Sequence, residues 1–284
     1  MAATLVDPSN AEQARAWDGP EGDYWAAHPD AFDRTMAAYD PVLLAAADLR
    51  PGEHVLDVGC GTGAVTRAAA RRCAPGHALG VDLSGRMVEV ARVAAAGLVN
   101  ASFEQGDAQV HDLGADRYDV LVSRTGVMFF GDPPAAFANL VRALRPGGRV
   151  ALLVWQPYAA NQWFQVLRGA LAAGRDLPVP GAVGPFSLGD PARVRALLGG
   201  AGLVDVELAD VRRPMDFGPT VDAAVDFVTG LLGWLLADLD PPARATALAT
   251  LRAALTRHTT PTGVHLPSAA WLATARRTPA RLRT

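Results

Sequence analysis

Three aspartates stand at or near the ends of short apolar runs, each with glycine close by. Asp57 lies inside Val55-Leu56-Asp57-Val58-Gly59-Cys60-Gly61-Thr62-Gly63. Asp82 closes Ala78-Leu79-Gly80-Val81-Asp82, and Asp107 sits in Gln105-Gly106-Asp107-Ala108. Glycine at alternate positions lets the backbone approach a ligand closely and take positive φ without a Cβ clash. A helix starting straight after such a loop offers free N–H groups to a polar or anionic ligand group. Two ligand classes compete for these residues. Gly59, Gly61 and Ala64 satisfy the relaxed G-x-G-x-x-G/A dinucleotide pattern, with Asp82 about where a ribose-binding acid belongs. Asp57 points the other way. A carboxylate two residues before the first glycine repels a pyrophosphate and welcomes a cationic amine.

Alternating elements must position these residues. A helix is expected to carry Met36, Tyr39, Leu43 and Leu44 and to end before Arg50-Pro51-Gly52. Strands are expected at His54–Val58, Ala78–Asp82, Ala101–Gln105, Tyr118–Ser123 and Arg149–Trp155. Helices are expected at Ala64–Arg72, after the N-cap Ser84, and at Ala135–Leu144. Val150 to Trp155 is an unbroken apolar run, which suits a strand buried on both faces of a parallel sheet. The alternation predicts an α/β fold with a doubly wound, mostly parallel sheet. Further on, Asn161–Ala173 reads as a helix, Leu177–Leu188 as a loop, Asp190–Leu198 as a helix and Val204–Val211 as a strand. Thr220–His258 reads as almost all helix and Ala269–Ala275 as a last strand. The expected division is an N-terminal helical lid over residues 1–45 and a ligand-binding core over 46–157. The remaining core follows over 158–218, a helical insertion over 219–265, and a last strand with a basic tail over 266–284.

The ordered motifs resemble the class I S-adenosylmethionine-dependent methyltransferases, in particular a bacterial small-molecule subgroup. The stretches that carry the resemblance are Val55–Gly63, Gly80–Ser84, Gln105–Ala108, Tyr118–Ser123 and Leu144–Gly148, over roughly residues 50 to 155. Ser123–Phe130 and Trp155-Gln156-Pro157 point to the subgroup, whose usual motif has phenylalanine where this chain has Thr125. The resemblance implies a seven-stranded Rossmann-like sheet with helical lid elements. It also implies S-adenosylmethionine as cofactor, with S-adenosylhomocysteine as product. Gly59, Cys60, Gly61 and Gly63 would pass under the methionine and ribose parts, and Asp57 would stand near the amino group. Asp82 would accept both ribose hydroxyls, and Leu83 and Met87 would pack on the adenine. Asp107 and the Ala108 N–H would read the adenine edge, and Ser123 and Arg124 would lie near the sulfonium.

Methyl transfer is an in-line displacement, so holding the nucleophile in line supplies much of the catalysis. A base is needed only where the acceptor must lose a proton. The catalytic candidates are His28, in the N-terminal segment, and Arg124. His54, His111, His258 and His265 read as surface or structural. Aromatic residues in the expected lid segments suggest an apolar acceptor pocket, with Tyr24, Trp25, Tyr158 and Trp163 as the substrate-binding candidates and Trp17, Phe164, Phe227 and Trp234 beside them.

Composition narrows the classes. The chain has 284 residues, net charge −3 and 50% hydrophobic content, which excludes disorder and offers no general field for nucleic acid or an anionic membrane. It contains neither lysine nor isoleucine, so lysine nucleophiles are excluded and all 26 basic residues are arginine. Two cysteines, Cys60 and Cys73, make no disulfide framework, and no close His/Cys/Asp group has metal-ligand spacing. No secretory signal or membrane span is read, so a cytoplasmic enzyme with a small-molecule partner is expected. The sequence gives no oligomeric state. Two alternatives stand beside the methyltransferase: a nicotinamide-dependent oxidoreductase, and a cofactor-binding relative that no longer transfers methyl.

Overall fold

The computed structural model describes residues 4–178 and 183–279. The N-terminal segment carries α1 (Ala11–Trp17), α2 (Pro20–Ala27), α3 (Pro29–Met36) and α4 (Asp40–Ala46). The core follows as β1 (His54–Val58), α5 (Ala64–Cys73), β2 (His77–Asp82), α6 (Gly85–Ala94), β3 (Ala101–Gln105), β4 (Tyr118–Arg124), α7 (Pro133–Ala143) and β5 (Leu144–Trp155). The rest is α8 (Gln162–Leu171), α9 (Pro191–Gly200), β6 (Leu203–Gly218), α10 (Val221–Leu231), α11 (Pro241–Thr256), β7 (Thr259–Thr260) and β8 (Gly263–Arg277).

The sheet runs β3-β2-β1-β4-β5-β8-β6, with β7 pairing on β8. The first five strands are parallel, whereas β8 is antiparallel to both β5 and β6. The main path therefore has the seven strands expected, and the two-residue β7 is an addition. Val150 to Trp155 is buried at every position, as a strand covered on both faces requires. Because the parallel strands share a direction, the ends of β1, β2, β3 and β4 bring Val58, Asp82, Gln105 and Arg124 to one edge of the sheet.

Three expectations change. The helix expected through Met36 and Leu44 is two helices, because Pro41 opens α4 within its first turn and cannot continue the hydrogen bonding of α3. The last two strands are longer than their patterns suggested. β6 and β8 pair from Leu203↔Arg277 to Gly218↔Val264, so β8 begins inside the expected insertion. The insertion itself is two helices joined by a 3₁₀ segment, Gly233–Leu236, with Pro241 starting the second. Pro180 and Gly181 of the expected loop, and Arg281 and Arg283 of the basic tail, lie outside the described residues, while Arg276 and Arg277 belong to β8.

The helical parts dock where the chain has polar ties. Thr35 donates from Oγ1 to the Asp216 carbonyl at 2.9 Å, joining α3 to β6. Tyr24 donates to the Phe227 carbonyl at 3.0 Å, joining α2 to α10. Tyr39, fully buried between α3 and α4, lies 2.6 Å from Ser268 Oγ on β8, and Ser268 donates to the Arg213 carbonyl. Since that serine hydrogen is committed, the Tyr39 hydroxyl is the donor. Tyr39→Phe should lower stability by about 1 kcal/mol, measured by urea unfolding, because it removes one buried hydrogen bond without opening a large cavity.

Candidate active site

A cavity of about 620 Å³ lies over the carboxyl edge, between the strand ends and the helices above them. Its floor is Val58, Gly59 and Gly61 from the glycine loop, Asp82 and Leu83 after β2, Gly106–Ala108 after β3, and Arg124–Gly126 after β4. Its roof is aromatic: Trp17, Tyr24 and Trp25 from α1 and α2, Phe32 from α3, Trp163 and Phe164 from α8, and Phe227 from α10. Trp25 stacks on Phe32 with ring centroids 3.5 Å apart, and Trp17 packs edge-on against both Trp25 and Phe129.

The glycine loop is shaped by backbone contact. Gly59 has φ +66°, and a Cβ there would lie 2.6 Å from the Gly126 Cα. Ser123, buried at the end of β4, donates to the Val58 carbonyl at 2.7 Å and accepts from the Gly126 N–H at 3.2 Å. The two loops are thereby fixed against one another. Gly63 does a different job: a Cβ would strike the Phe103 ring at 2.6 Å, so this glycine lets α5 seat against β3 and α6.

Asp82 is buried, and each of its oxygens already takes one backbone hydrogen, Gly61 N–H at 2.8 Å and Ser84 N–H at 2.9 Å. Each oxygen keeps lone-pair capacity, so the carboxylate can receive two further hydroxyls side by side. Burial raises its pKa, and the two backbone donors lower it less. Leu83, Met87 and Ala108 supply apolar surface next to it. An adenosine-like group fits this set: a diol acceptor, an apolar slot and a backbone that comes close because glycine lets it.

Asp107 is more occupied than the sequence suggested. Oδ1 accepts from Asn10 Nδ2 and from the Gln109 N–H, both at 3.0 Å, and Oδ2 accepts from the Asp7 N–H at 3.0 Å. Asn10 also accepts from the Gly131 N–H at 3.1 Å. The N-terminal segment is strapped across this corner of the cavity by the carboxylate expected to read adenine, which leaves room for one more donor on Oδ2. Periodicity carried no signal for Asn10, Gln13, Glu21, Thr35 or Met36 as lining residues. They come into the cavity because the N-terminal helical segment that carries them packs over it.

Asp57 lies beneath the loop, 1% exposed, with Thr66 donating to it at 2.6 Å. Burial pushes its pKa up to about 7, against the pull of Thr66 and of Arg124. It is absent from the cavity surface, as are Cys60, Gly63 and Ser123. Cys60 points instead into the small cluster of Val88, Ala91 and Phe103.

Arg124 lines the cavity, but its guanidinium is engaged. It reaches Asp40 at 2.9 and 3.0 Å and Asp33 at 3.2 Å, and Asp33 in turn lies 3.7 Å from Arg67. Burial opposes the Arg124 charge, yet Asp40 and Asp33 outweigh it and raise its pKa. Asp40 is also raised, because its own burial exceeds the attraction of Arg124. Arg124 Nη1 lies within hydrogen-bond reach of both Asp40 oxygens, so the pair is formed. Arg124 therefore holds the lid segment to β4 and has no free face to serve as a catalytic cation.

His28 is the clearer correction. It stands exposed at the α2–α3 junction, its Nδ1 2.8 Å from the Tyr24 carbonyl and its ring against the Tyr24 ring, outside the cavity. Tyr158 is also outside, packed between Phe164 and Phe186 under Arg168, because its 3₁₀ turn directs it away from β5. Tyr24, Trp25 and Trp163 do line the cavity. Among the described residues no histidine lines it and no group of three or more His, Cys, Asp or Glu could hold a metal ion.

Residues 55–148 match the methyltransferase domain family. Nocamycin O-methyltransferase from Saccharothrix syringae is 33% identical over 80% of this chain and 90% of its own. A protein of Mycobacterium tuberculosis is 31% identical over 67% of this chain and 73% of its own. Among solved structures, phosphoethanolamine N-methyltransferase 2 from Haemonchus contortus is 17% identical with a TM-score of 0.57, over 97% of this chain and 61% of that one. The cyclase SpnF is 19% identical with a TM-score of 0.54, over 98% and 100%. The chain belongs to the class I S-adenosylmethionine-dependent methyltransferases and is an enzyme of methyl transfer. That decides the glycine loop against the nicotinamide reading.

The raised Asp57 has a consequence for stability. The folded chain keeps the proton to about pH 7, whereas the unfolded chain releases it near the ordinary carboxylate value, about pH 4. Its contribution to stability falls as pH rises between those values and is flat above. Asp57→Asn should therefore raise the melting temperature of the ligand-free protein by a few degrees at pH 8 and little at pH 4.5, read by calorimetry.

Proposed function

We propose that the protein methylates a small hydrophobic or aromatic acceptor at oxygen, with helices α1 to α3, α8 and α10 forming the cap over it. The observation that carries this is the aromatic roof over a carboxylate whose two oxygens each keep room for a further donor, in one cavity. The O-methyltransferase relative supports oxygen as the site. When bound, S-adenosylmethionine supplies a methyl group already activated on a sulfonium. The chain's own residues then divide the work of holding it. Asp82 accepts the ribose hydroxyls, Leu83 and Met87 pack on the adenine, and Asp107 with the Ala108 N–H reads its edge. Gly59 and Gly61 lie under the methionine part, and Asp57, when ionised, favours the amino group from below the loop. The acceptor is held against the aromatic roof, which excludes water and keeps its oxygen in line. Its proton leaves without histidine, Glu21 being a cavity carboxylate whose pKa burial raises.

No helix among the described residues is long and apolar enough to cross a membrane. The two free, buried cysteines support a reducing, cytoplasmic place, and the aromatic-roofed cavity supports a small-molecule partner rather than a nucleic acid.

Calorimetric titration with S-adenosylhomocysteine should show micromolar binding. Asp82→Ala should weaken it about 100-fold, the loss expected for two charge-assisted hydrogen bonds. Tritium from labelled S-adenosylmethionine should pass to phenols or hydroxylated polyketides and not to hydrophilic amines. Unimpaired binding by Asp82→Ala, or transfer only to polar amines, would defeat the reading.

A further inference from the structure

We propose that Thr125 positions the acceptor, and that it selects one presenting a neutral hydrogen-bond donor, a hydroxyl or an N–H, over an anionic one. This rests on the methyl-transfer reading of the same cavity.

Thr125 stands just past β4, half-buried, and lines the cavity. Its φ is +64°. Five non-glycine residues among those described have positive φ: Asp48, Asp116, Thr125, Ala173 and Asp205. Thr125 alone of these is β-branched, the type least suited to that region, and alone of these lines the cavity. Strain of this kind persists only where the surroundings over-determine it, and it clusters at functional positions.

The surroundings do over-determine it. The Thr125 N–H donates to the Leu153 carbonyl on β5 at 2.8 Å, and Oγ1 donates to the Arg124 carbonyl at 2.7 Å. Before it, Arg124 is clamped by Asp40 and Asp33. After it, Gly126 is pressed on Gly59. Neither neighbour can turn to let Thr125 relax.

The hydroxyl's only hydrogen is committed to Arg124, so its oxygen offers lone pairs alone. A partner in the cavity must bring its own hydrogen. The charges agree with this. Arg124 is held by two carboxylates, which leaves Arg168, donating to the Pro178 carbonyl and lying over the Tyr158 ring, as the one lining arginine without an acid partner, against Glu12, Glu21, Asp82 and Asp107 in the same cavity. An anionic acceptor would meet four carboxylates against one guanidinium without a carboxylate partner among the described residues. A neutral hydroxyl can donate to Thr125 and keep a lone pair for the methyl carbon. In the transfer, that oxygen forms the new O–C bond and the C–S bond breaks with its electron pair going to sulfur. The acceptor's proton passes to solvent or to Glu21.

The test uses the full chain saturated with S-adenosylhomocysteine and three matched probes: para-cresol, its methyl ether, and para-toluate. Calorimetric titration should show cresol binding at least about tenfold tighter than either of the others, the usual worth of one hydrogen bond. Thr125→Ser should keep that preference. Thr125→Val should bring cresol down to the ether while S-adenosylhomocysteine affinity stays within about twofold, which also certifies that the variant folds. Equal binding of cresol and ether by the wild type, tightest binding of toluate, or a preference that survives in Thr125→Val would each overturn the proposal. Failure of the wild type to bind S-adenosylhomocysteine would instead strike the methyl-transfer reading itself.

Discussion

The lid is tied to the cavity floor by a partly buried ion cluster. Arg124 comes from the end of β4, and Asp33 and Asp40 from α3 and α4, so one guanidinium fixes the lid segment to the floor of the site. Arg67 extends the cluster into the glycine loop: it approaches Asp33 and donates to the Thr62 carbonyl at 2.6 Å. Burying four charges is costly, and such clusters are weak evidence for stability. What this one supplies is registration. The polar ties of Thr35 and Tyr39 and the stacking of Trp25 on Phe32 all depend on α3 sitting where the cluster puts it.

Given that registration, backbone does the finer shaping. Gly59 and Gly126 touch closely enough that neither tolerates a side chain, and Ser123 bridges their two loops. The floor therefore behaves as one piece. A ligand spanning Gly59, Asp82 and Gly126 contacts surfaces that cannot shift independently, which is the condition for holding a reacting carbon and a nucleophile in line.

The core was legible in the sequence because its signals are local. The apolar run ending in Asp82, the glycines after β1 and the unbroken apolar run of β5 each report on a few neighbouring residues, and all stand where expected. The site was legible to the extent that it is built from strand ends: Gly59, Gly61, Asp82 and Asp107 reach the cavity. What failed depended on long-range packing. Nothing in the sequence around His28 says that its ring turns outward onto Tyr24. Nothing around Arg124 names Asp40, 84 residues away, as its partner. Asn10 and Asp107 are 97 residues apart, and their contact is visible only once the chain is folded. Thr125 could be seen as a departure from the family motif, but its positive φ could not, since a β-branched residue gives no warning of that conformation.

The costly element of this fold is its pair of buried acids. Asp57 and Asp82 lie beneath and beside the glycine loop, each raised by burial, and Asp82 adds to the cost at Asp57. Arg124, whose charge draws the Asp57 pKa down, is already shared by Asp40 and Asp33. The protein thus keeps two acids in an environment that disfavours their ionised forms, at the place where hydroxyl donors and an ammonium group are expected to arrive. A ligand that brings those groups relieves the penalty in the bound state alone, so binding and folding are coupled: the free chain is less stable than its packing allows, and the complex recovers the difference. The same reasoning explains why the acids are sheltered by backbone donors and a threonine rather than by arginines. A permanent cation would stabilise the empty site and remove the charge the cofactor is there to meet.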